Sequence, residues 1–131
     1  DNRELHAFPT RRSSDLTAVL MTYRLDDYVP RGSSLRGHIY ATYQHLVEVF
    51  GEPNILNAEE GDKVWNEWGI EFRVPVEDDG MGDVDDYDTI HATIYDWKEL
   101  DAYDSHIGNY RWHIGGMNHR GIELIYEALG R

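Results

Sequence analysis

Lys63, Trp65, His91, Tyr95, Trp97, Arg111 and His113 fall in three short stretches, Lys63 to Val74, Thr89 to Lys98 and Asn109 to Gly116. Each stretch alternates with a period of two, the pattern of a half-buried strand. Laid side by side, the three put aromatic and cationic side chains on one face. Aromatic rings can sandwich a heterocycle, and a Lys or Arg beside them can neutralise a phosphate, so the chemistry on offer is capture of an anionic, ring-bearing ligand. The Trp112-His113-Ile114-Gly115-Gly116-Met117-Asn118 run adds two glycines ahead of a helix, where backbone can approach a ligand and helix-start amides favour an anion. The candidate ligand-binding set is therefore Lys63, Trp65, Tyr95, Trp97, Lys98, Arg111, His113, Gly115, Gly116 and Asn118.

Each feature also has a plainer reading. The aromatics could form a homodimer interface or lie under the N-terminal segment, the glycines could serve strand-to-helix packing, and His113 could be a satisfied structural histidine.

Catalytic and metal readings lack a pattern. Seven histidines (His6, His38, His45, His91, His106, His113, His119) occur without HExxH, HxH or paired HxT or HxS spacing. Glu67 and Asp96 could pair on adjacent strands, but alternation assigns them to opposite faces. Asp83 to Asp88 lacks the glycine and terminal glutamate of a calcium loop. The reading is a non-enzymatic binder with no cofactor and no metal.

Two elements are needed to position such a face. Thr42 to Pro53 reads as a helix, with Thr42 as cap, Leu46 and Phe50 on one side, and Gly51 and Pro53 as its stop. Asn118 to Leu129 reads as a second helix, with Ile122, Ile125 and Leu129 spaced to pack on a sheet. The strands carry Trp68, Ile70, Phe72 and Val74, then Ile90, Ala92 and Ile94, then Tyr110, Trp112 and Ile114 toward those helices. The expected fold is α+β in two layers: helix, three-stranded antiparallel meander, C-terminal helix. Leu35 to Tyr40 could be a brief strand, and Thr17 to Tyr23 an edge strand or ordered tail.

Phe8 to Leu16 looks like the translation of a widely used sequencing-adapter oligonucleotide, so residues 1–16 are read as a scar, with Met21 as the expected native start. Residues 17–34 are then an extended or partly ordered lead-in, and 35–131 one α+β domain.

The chain of 131 residues carries 25 acidic and 12 basic residues, a net charge of −13. Setting aside residues 1–16 removes three of each sign and leaves that charge unchanged. Long nucleic acid is a poor partner for such a chain, since there is no cationic stripe to displace counterions. A small anion in a local pocket remains possible, as does mimicry of DNA toward a basic protein. Cysteine is absent, and no apolar run approaches the ~20 residues of a membrane span. A cytosolic location is expected.

Four ordered motifs, TYxxLVxxFGEP (Thr42 to Pro53), GDKVxxEW (Gly61 to Trp68), ATIYDWK (Ala92 to Lys98) and WHIGG (Trp112 to Gly116), resemble a family of small bacteriophage proteins without assigned activity. The acidic insert Glu77 to Asp88 and the Asp101 to Gly108 loop depart from that pattern. The resemblance implies a bacteriophage source and carries no activity; taken with the aromatic and basic face and the Gly115-Gly116 anion site, it suggests an anti-defence setting. There the chain would act as a homo-oligomeric sponge, binding a cyclic nucleotide or ADP-ribose-type immune signal without cleaving it. The alternative is an acidic protein-directed inhibitor or DNA mimic, with its essential residues in Asp78 to Asp88.

Overall fold

The computed structural model describes residues 5–11, 18–27, 33–55, 63–75 and 87–131. Its strands are β1 (His6–Arg11), β2 (Ala18–Leu25), β3 (Ser34–Thr42), β4 (Glu67–Pro75), β5 (Tyr87–Tyr95) and β6 (Asn109–Gly116). Helix α1 (Tyr43–Phe50) follows β3, and α2 (Arg120–Ala128) follows β6. All six strands join one sheet in the order β1-β2-β4-β5-β6-β3, every pair antiparallel.

This corrects the expected fold. A helix does not come first, and the sheet is not a three-stranded meander. Strands β4, β5 and β6 do lie adjacent, but β1 and β2 extend the sheet on one side and β3 closes the other. Neither addition has a strong local signal. In β3, Gly37 and the register shift between Leu35 and Gly37 interrupt the alternation. Its partner β6 lies some seventy residues away, and pairing at that distance leaves no periodic trace in the sequence. Strand β2 sits between β1 and β4, an interior place. Strand β1 takes in part of the stretch read as a translated adapter; whatever the origin of those residues, they add an edge strand.

Alternation along the paired strands sorts the side chains onto two faces. Met21, Tyr23, Leu25, Ile39, Ala41, Trp68, Ile70, Phe72, Ala92, Ile94, Trp112 and Ile114 form one buried cluster, joined by Leu46 and Phe50 of α1 and Leu124 and Ile125 of α2. Burial of this face is the main source of stability, because neither helix is long enough to stand alone. The Thr42 hydroxyl accepts from His45 N–H at 3.0 Å and caps α1. Gly51 ends that helix at φ 95°, a left-handed conformation suited to glycine. Its carbonyl then accepts from the Trp68 indole at 2.7 Å. Helix α2 settles close to the sheet, where a Cβ on Gly121 would stand 3.0 Å from that of Ala92. Among the described residues no helix is long and apolar enough to cross a membrane.

Candidate functional site on the open sheet face

Both helices use the covered face, which leaves the other to polar and aromatic side chains. One cross-strand row there runs Glu67, Tyr95, His113, His38, each directly opposite the next across β4, β5, β6 and β3. Side chains opposite each other in a sheet are close enough to interact. The Tyr95 and His113 ring centroids lie 5.4 Å apart, and those of His113 and His38 lie 4.5 Å apart. Trp97, just past the end of β5, stands 6.3 Å from Tyr95 and 6.0 Å from His113. These rings form a contiguous cluster, called the platform below, in which Tyr95 meets Trp97 and His38 meets His113 edge to face while His113 is tilted against Tyr95 and Trp97.

Cations border it. Lys63 Nζ lies 5.7 Å and Lys98 Nζ 5.8 Å from the Trp97 ring centroid, within cation–π range. On the other side, an Arg111 guanidinium nitrogen is 3.2 Å from His38 Nδ1. The positive surroundings act on the histidines. Burial, then His38 and Arg111, hold the His113 pKa below its ordinary 6.5, although Asp96 pulls the other way. Burial and Arg111 lower that of His38 in the same sense. The His113 Nδ1 atom is buried without a hydrogen-bond partner among the described residues. Most buried polar atoms are paired, so this atom stands out.

A cleft of about 240 Å³ opens beside the platform, lined by Ser33, Ser34, Val64, Glu67, Thr93, Tyr95, Trp97 and Gly115. Gly115 is opposite Thr93 on β5 and Leu35 on β3. A Cβ there would come within 2.7 Å of the Thr93 hydroxyl and 3.3 Å of the Tyr95 ring. Its missing side chain keeps the floor of the cleft low. Tyr95 has its pKa raised by burial and by the Glu67 carboxylate, so its hydroxyl stays protonated at neutral pH.

The platform is held from behind. Asp96 is fully buried and accepts from Trp65 N–H (2.7 Å), Asn66 N–H (3.1 Å), the Asn66 amide (2.9 Å) and the Ser105 hydroxyl (3.1 Å). It is a structural carboxylate, tying the segment before β4 and the 100–106 loop to the root of Trp97. Trp97 N–H donates to the Tyr110 hydroxyl at 3.3 Å, which in turn donates to Glu99 at 2.9 Å. Burial and Glu99 push the Tyr110 pKa to about 12, despite the opposing bond from Trp97. Lys98 has φ 58°, a positive value shared by no other described non-glycine residue, and its N–H donates to the Lys63 carbonyl at 2.7 Å. Such a conformation costs roughly 1–2 kcal/mol for an L-residue, and here it sets Lys98 and Lys63 on the same ring.

The residues singled out from sequence thus separate. Tyr95, Trp97, His113, Lys63, Lys98 and Gly115 assemble around the platform and cleft, with Arg111 at the His38 end. Trp65 turns aside, its indole donating to the Glu99 carbonyl at 3.0 Å. Gly115 and Gly116 close β6 inside the sheet ladder rather than forming a loop of free amides. Gly116 faces the covered side, against the His91 carbonyl and Ala92. Its own carbonyl accepts from Arg36 at 2.9 Å. Asn118 accepts from Arg120 N–H at 2.9 Å at the start of α2. His91 is on the open face, two residues before Thr93.

Sequence reasoning missed Ser33, Ser34, Val64, Thr93 and His38 as site residues. Alternation places Thr93 beside Tyr95 and so could have supplied it. Ser33, Ser34 and His38 arrive only through the long-range β3–β6 pairing. Most of the acidic Glu77 to Asp88 run, including the weak calcium reading, lies outside the described residues. Among the described residues no three His, Asp or Glu side chains gather as a metal site. In comparisons with known proteins, no family model, no curated protein and no solved structure matches the chain.

Proposed function

We propose that this chain is a binding protein for a small anionic nucleotide, held on the open face by stacking against Trp97, with Tyr95 at the edge of the base and Lys63 and Lys98 meeting its phosphate. The observation that carries the reading is the Trp97 ring set beside a cleft with two lysines over it. In a chain of net charge −13, a local pair of cations is the feature that draws an anion to one place. Stacking tolerates any base, and lysine binds phosphate as a point charge. The role we infer is capture rather than turnover. With the motif resemblance to bacteriophage proteins, the biological form of this reading is a phage anti-defence sponge for a cyclic nucleotide or ADP-ribose-type signal in the host cytosol.

Self-association belongs to the same proposal. Leu100 is 92% exposed and Ile107 78%, on a loop fixed by Asp104, which accepts from Leu100 N–H and Asp101 N–H. Large apolar side chains held rigidly in solvent favour a partner surface, and a second copy would also cover Trp65.

Calorimetry with cyclic dinucleotides and cyclic ADP-ribose isomers tests the reading, alongside native mass spectrometry of protein from cells making such signals. Heat on titration, or a retained mass of a nucleotide, supports it. No heat from any ligand, with activity lost on shortening Glu77 to Asp88, favours a protein-directed inhibitor instead.

A further inference from the structure

We propose that the open face carries a second base-and-phosphate subsite, formed by Tyr40 and Arg111, so that its ligand is a dinucleotide, two bases joined through phosphate, rather than a single nucleotide. This rests on the nucleotide reading and deepens it.

The cleft beside Trp97 measures about 240 Å³, below the usual ~300–1,000 Å³ of ligand sites. It has room for one ring system, so the rest of a larger ligand must lie along the sheet. On β3, Ile39 and Ala41 are buried on the covered side, and alternation turns His38 and Tyr40 to the open one. The contact of the His38 ring with that of His113 agrees. Tyr40 is directly opposite Arg111, two residues along both strands from the His38–His113 pair. Its side chain is 56% exposed, and its ring makes no aromatic or cation–π contact among the described residues. Both faces of that ring are open to a base.

The cations divide in the same way. Lys63, Lys98 and Arg111 make no ion pair among the described residues, although the chain has 25 acidic residues. The two lysines lie at the Trp97 ring, and Arg111 lies past His113, its guanidinium held 3.2 Å from His38 Nδ1. An arginine presents five N–H donors in a fixed fork, so this contact orients the group and leaves donors for a phosphate. Each pole thus joins a partly exposed ring to positive charge: Trp97 with Lys63 and Lys98, Tyr40 with Arg111.

The spacing fits two bases drawn apart. Trp97 follows β5 and Tyr40 is on β3, with β6 between those strands, so the two rings are rooted about 10 Å apart, two strand spacings. Neighbouring nucleotides in a stacked strand are only ~3.4 Å apart. The ligand is therefore opened out, one base on each ring. Arg111, on β6, stands between the two rings, where the linking phosphate passes.

The test is calorimetry of the full chain with adenosine 5′-monophosphate, adenosine 5′-diphosphate, the 5′-phosphorylated linear adenine dinucleotide and the cyclic adenine dinucleotide. Linear and cyclic forms share the chemistry of the site, and the tighter of the two names the source. That dinucleotide should bind about tenfold or more tighter than the monophosphate, since stacking a second base is a substantial gain. The diphosphate, with added charge but no second base, should gain less. Tyr40→Ala should weaken the dinucleotide about tenfold and leave the monophosphate nearly unaffected, whereas Tyr40→Phe should keep the affinity, because the face of the ring does the stacking. Arg111→Ala should weaken the dinucleotide severalfold at low salt and less at high salt. A monophosphate or diphosphate that binds as tightly as the dinucleotides, or dinucleotide affinity unchanged in Tyr40→Ala, overturns the second subsite and leaves capture of a single nucleotide standing. If no nucleotide binds the parent chain, both readings fall.

Discussion

Two faces of one sheet carry tryptophans under opposite rules. On the covered face, Trp68 and Trp112 are fully buried, meet edge to face at 5.2 Å, and donate their indole N–H to the carbonyls of Gly51 and Ala41. Every requirement of those side chains is met inside the chain. On the open face, Trp97 is 38% exposed among rings and cations, next to a histidine nitrogen that is buried and has no hydrogen-bond partner among the described residues. The first arrangement is complete as it stands. The second leaves apolar surface, positive charge and a polar atom unmatched among the described residues, and these are the features on which the proposed ligand site rests.

The sharpest way to break this contrast is to truncate one tryptophan from each face. Trp112→Ala removes a buried ring and its bond to the Ala41 carbonyl and leaves a cavity, so stability should drop by about 3–5 kcal/mol. Trp97→Ala should change stability by about 1 kcal/mol or less yet cost ~1–3 kcal/mol of nucleotide binding. Urea denaturation and calorimetry on the same two variants separate the effects. A large loss of stability from Trp97→Ala would place that ring in the core and remove the distinction between the faces.

Asp96 connects the two. Replacing it with Ala strips the acceptor from the Trp65 and Asn66 backbone N–H groups and the Ser105 hydroxyl, and removes one of the acceptors of the Asn66 amide, which also donates to the Ala102 carbonyl at 2.8 Å. At ~1–3 kcal/mol for each buried donor left without a partner, partly relieved by water, a loss of about 3 kcal/mol is expected. Because these bonds hold Trp65 and the 100–106 loop against Trp97, binding should weaken even in the fraction that remains folded. Hydrogen exchange localised to residues 63–67 and 100–106 would check the mechanism; uniform exchange across the sheet would argue against a local anchor.

The covered face was legible because burial imposes a period on sequence. Trp68, Ile70 and Phe72, Ile90, Ala92 and Ile94, and Trp112 and Ile114 all alternate as a half-buried strand must. The same alternation exposed Tyr95, Arg111 and His113 as neighbours on the other side. What it could not yield was sheet order. Strand β3 reaches β6 across the length of the domain, and β2 pairs with β4 across an intervening strand and helix, so the six-stranded sheet was read as three. Gly115 and Gly116 were legible as a close approach of backbone, but the neighbours approached, Thr93 on one face and the His91 carbonyl on the other, belong to the sheet itself. Lys98 gave no sign of its positive φ, since nothing in its type calls for it.

That backbone conformation supplies a smaller test of the open face. Lys98→Gly should relieve the left-handed strain and leave stability unchanged or raised by up to about 1 kcal/mol. It also removes one of the two cations over Trp97, so nucleotide affinity should fall severalfold, less so at high salt, where exposed charges are screened. Gain in stability with loss of binding is the signature of strain kept for function. Lower stability would instead show that the Lys98 side chain contributes to folding.

The smallest effect is on pH dependence, and its sign is fixed by the platform. The folded pKa values of His113 and His38 lie below the ordinary 6.5, so they are held neutral. As pH falls through 6.5 the unfolded chain takes up protons first, so the stability tied to the neutral pair is fully present above that value and is lost progressively toward the folded pKa values. Glu71 acts at lower pH. Burial alone would raise its pKa, but hydrogen bonds from Arg73 and Arg24, each at 3.0 Å, outweigh it and hold the value below 4.5. Its contribution persists down to about that pH and disappears below it. Denaturation midpoints measured from pH 7.5 to 3 should therefore fall in two stages. His113→Phe should flatten only the upper stage and Glu71→Gln only the lower; an upper stage unchanged in a variant with both His113→Phe and His38→Phe would mean that the open-face histidines are not the groups that resist protonation.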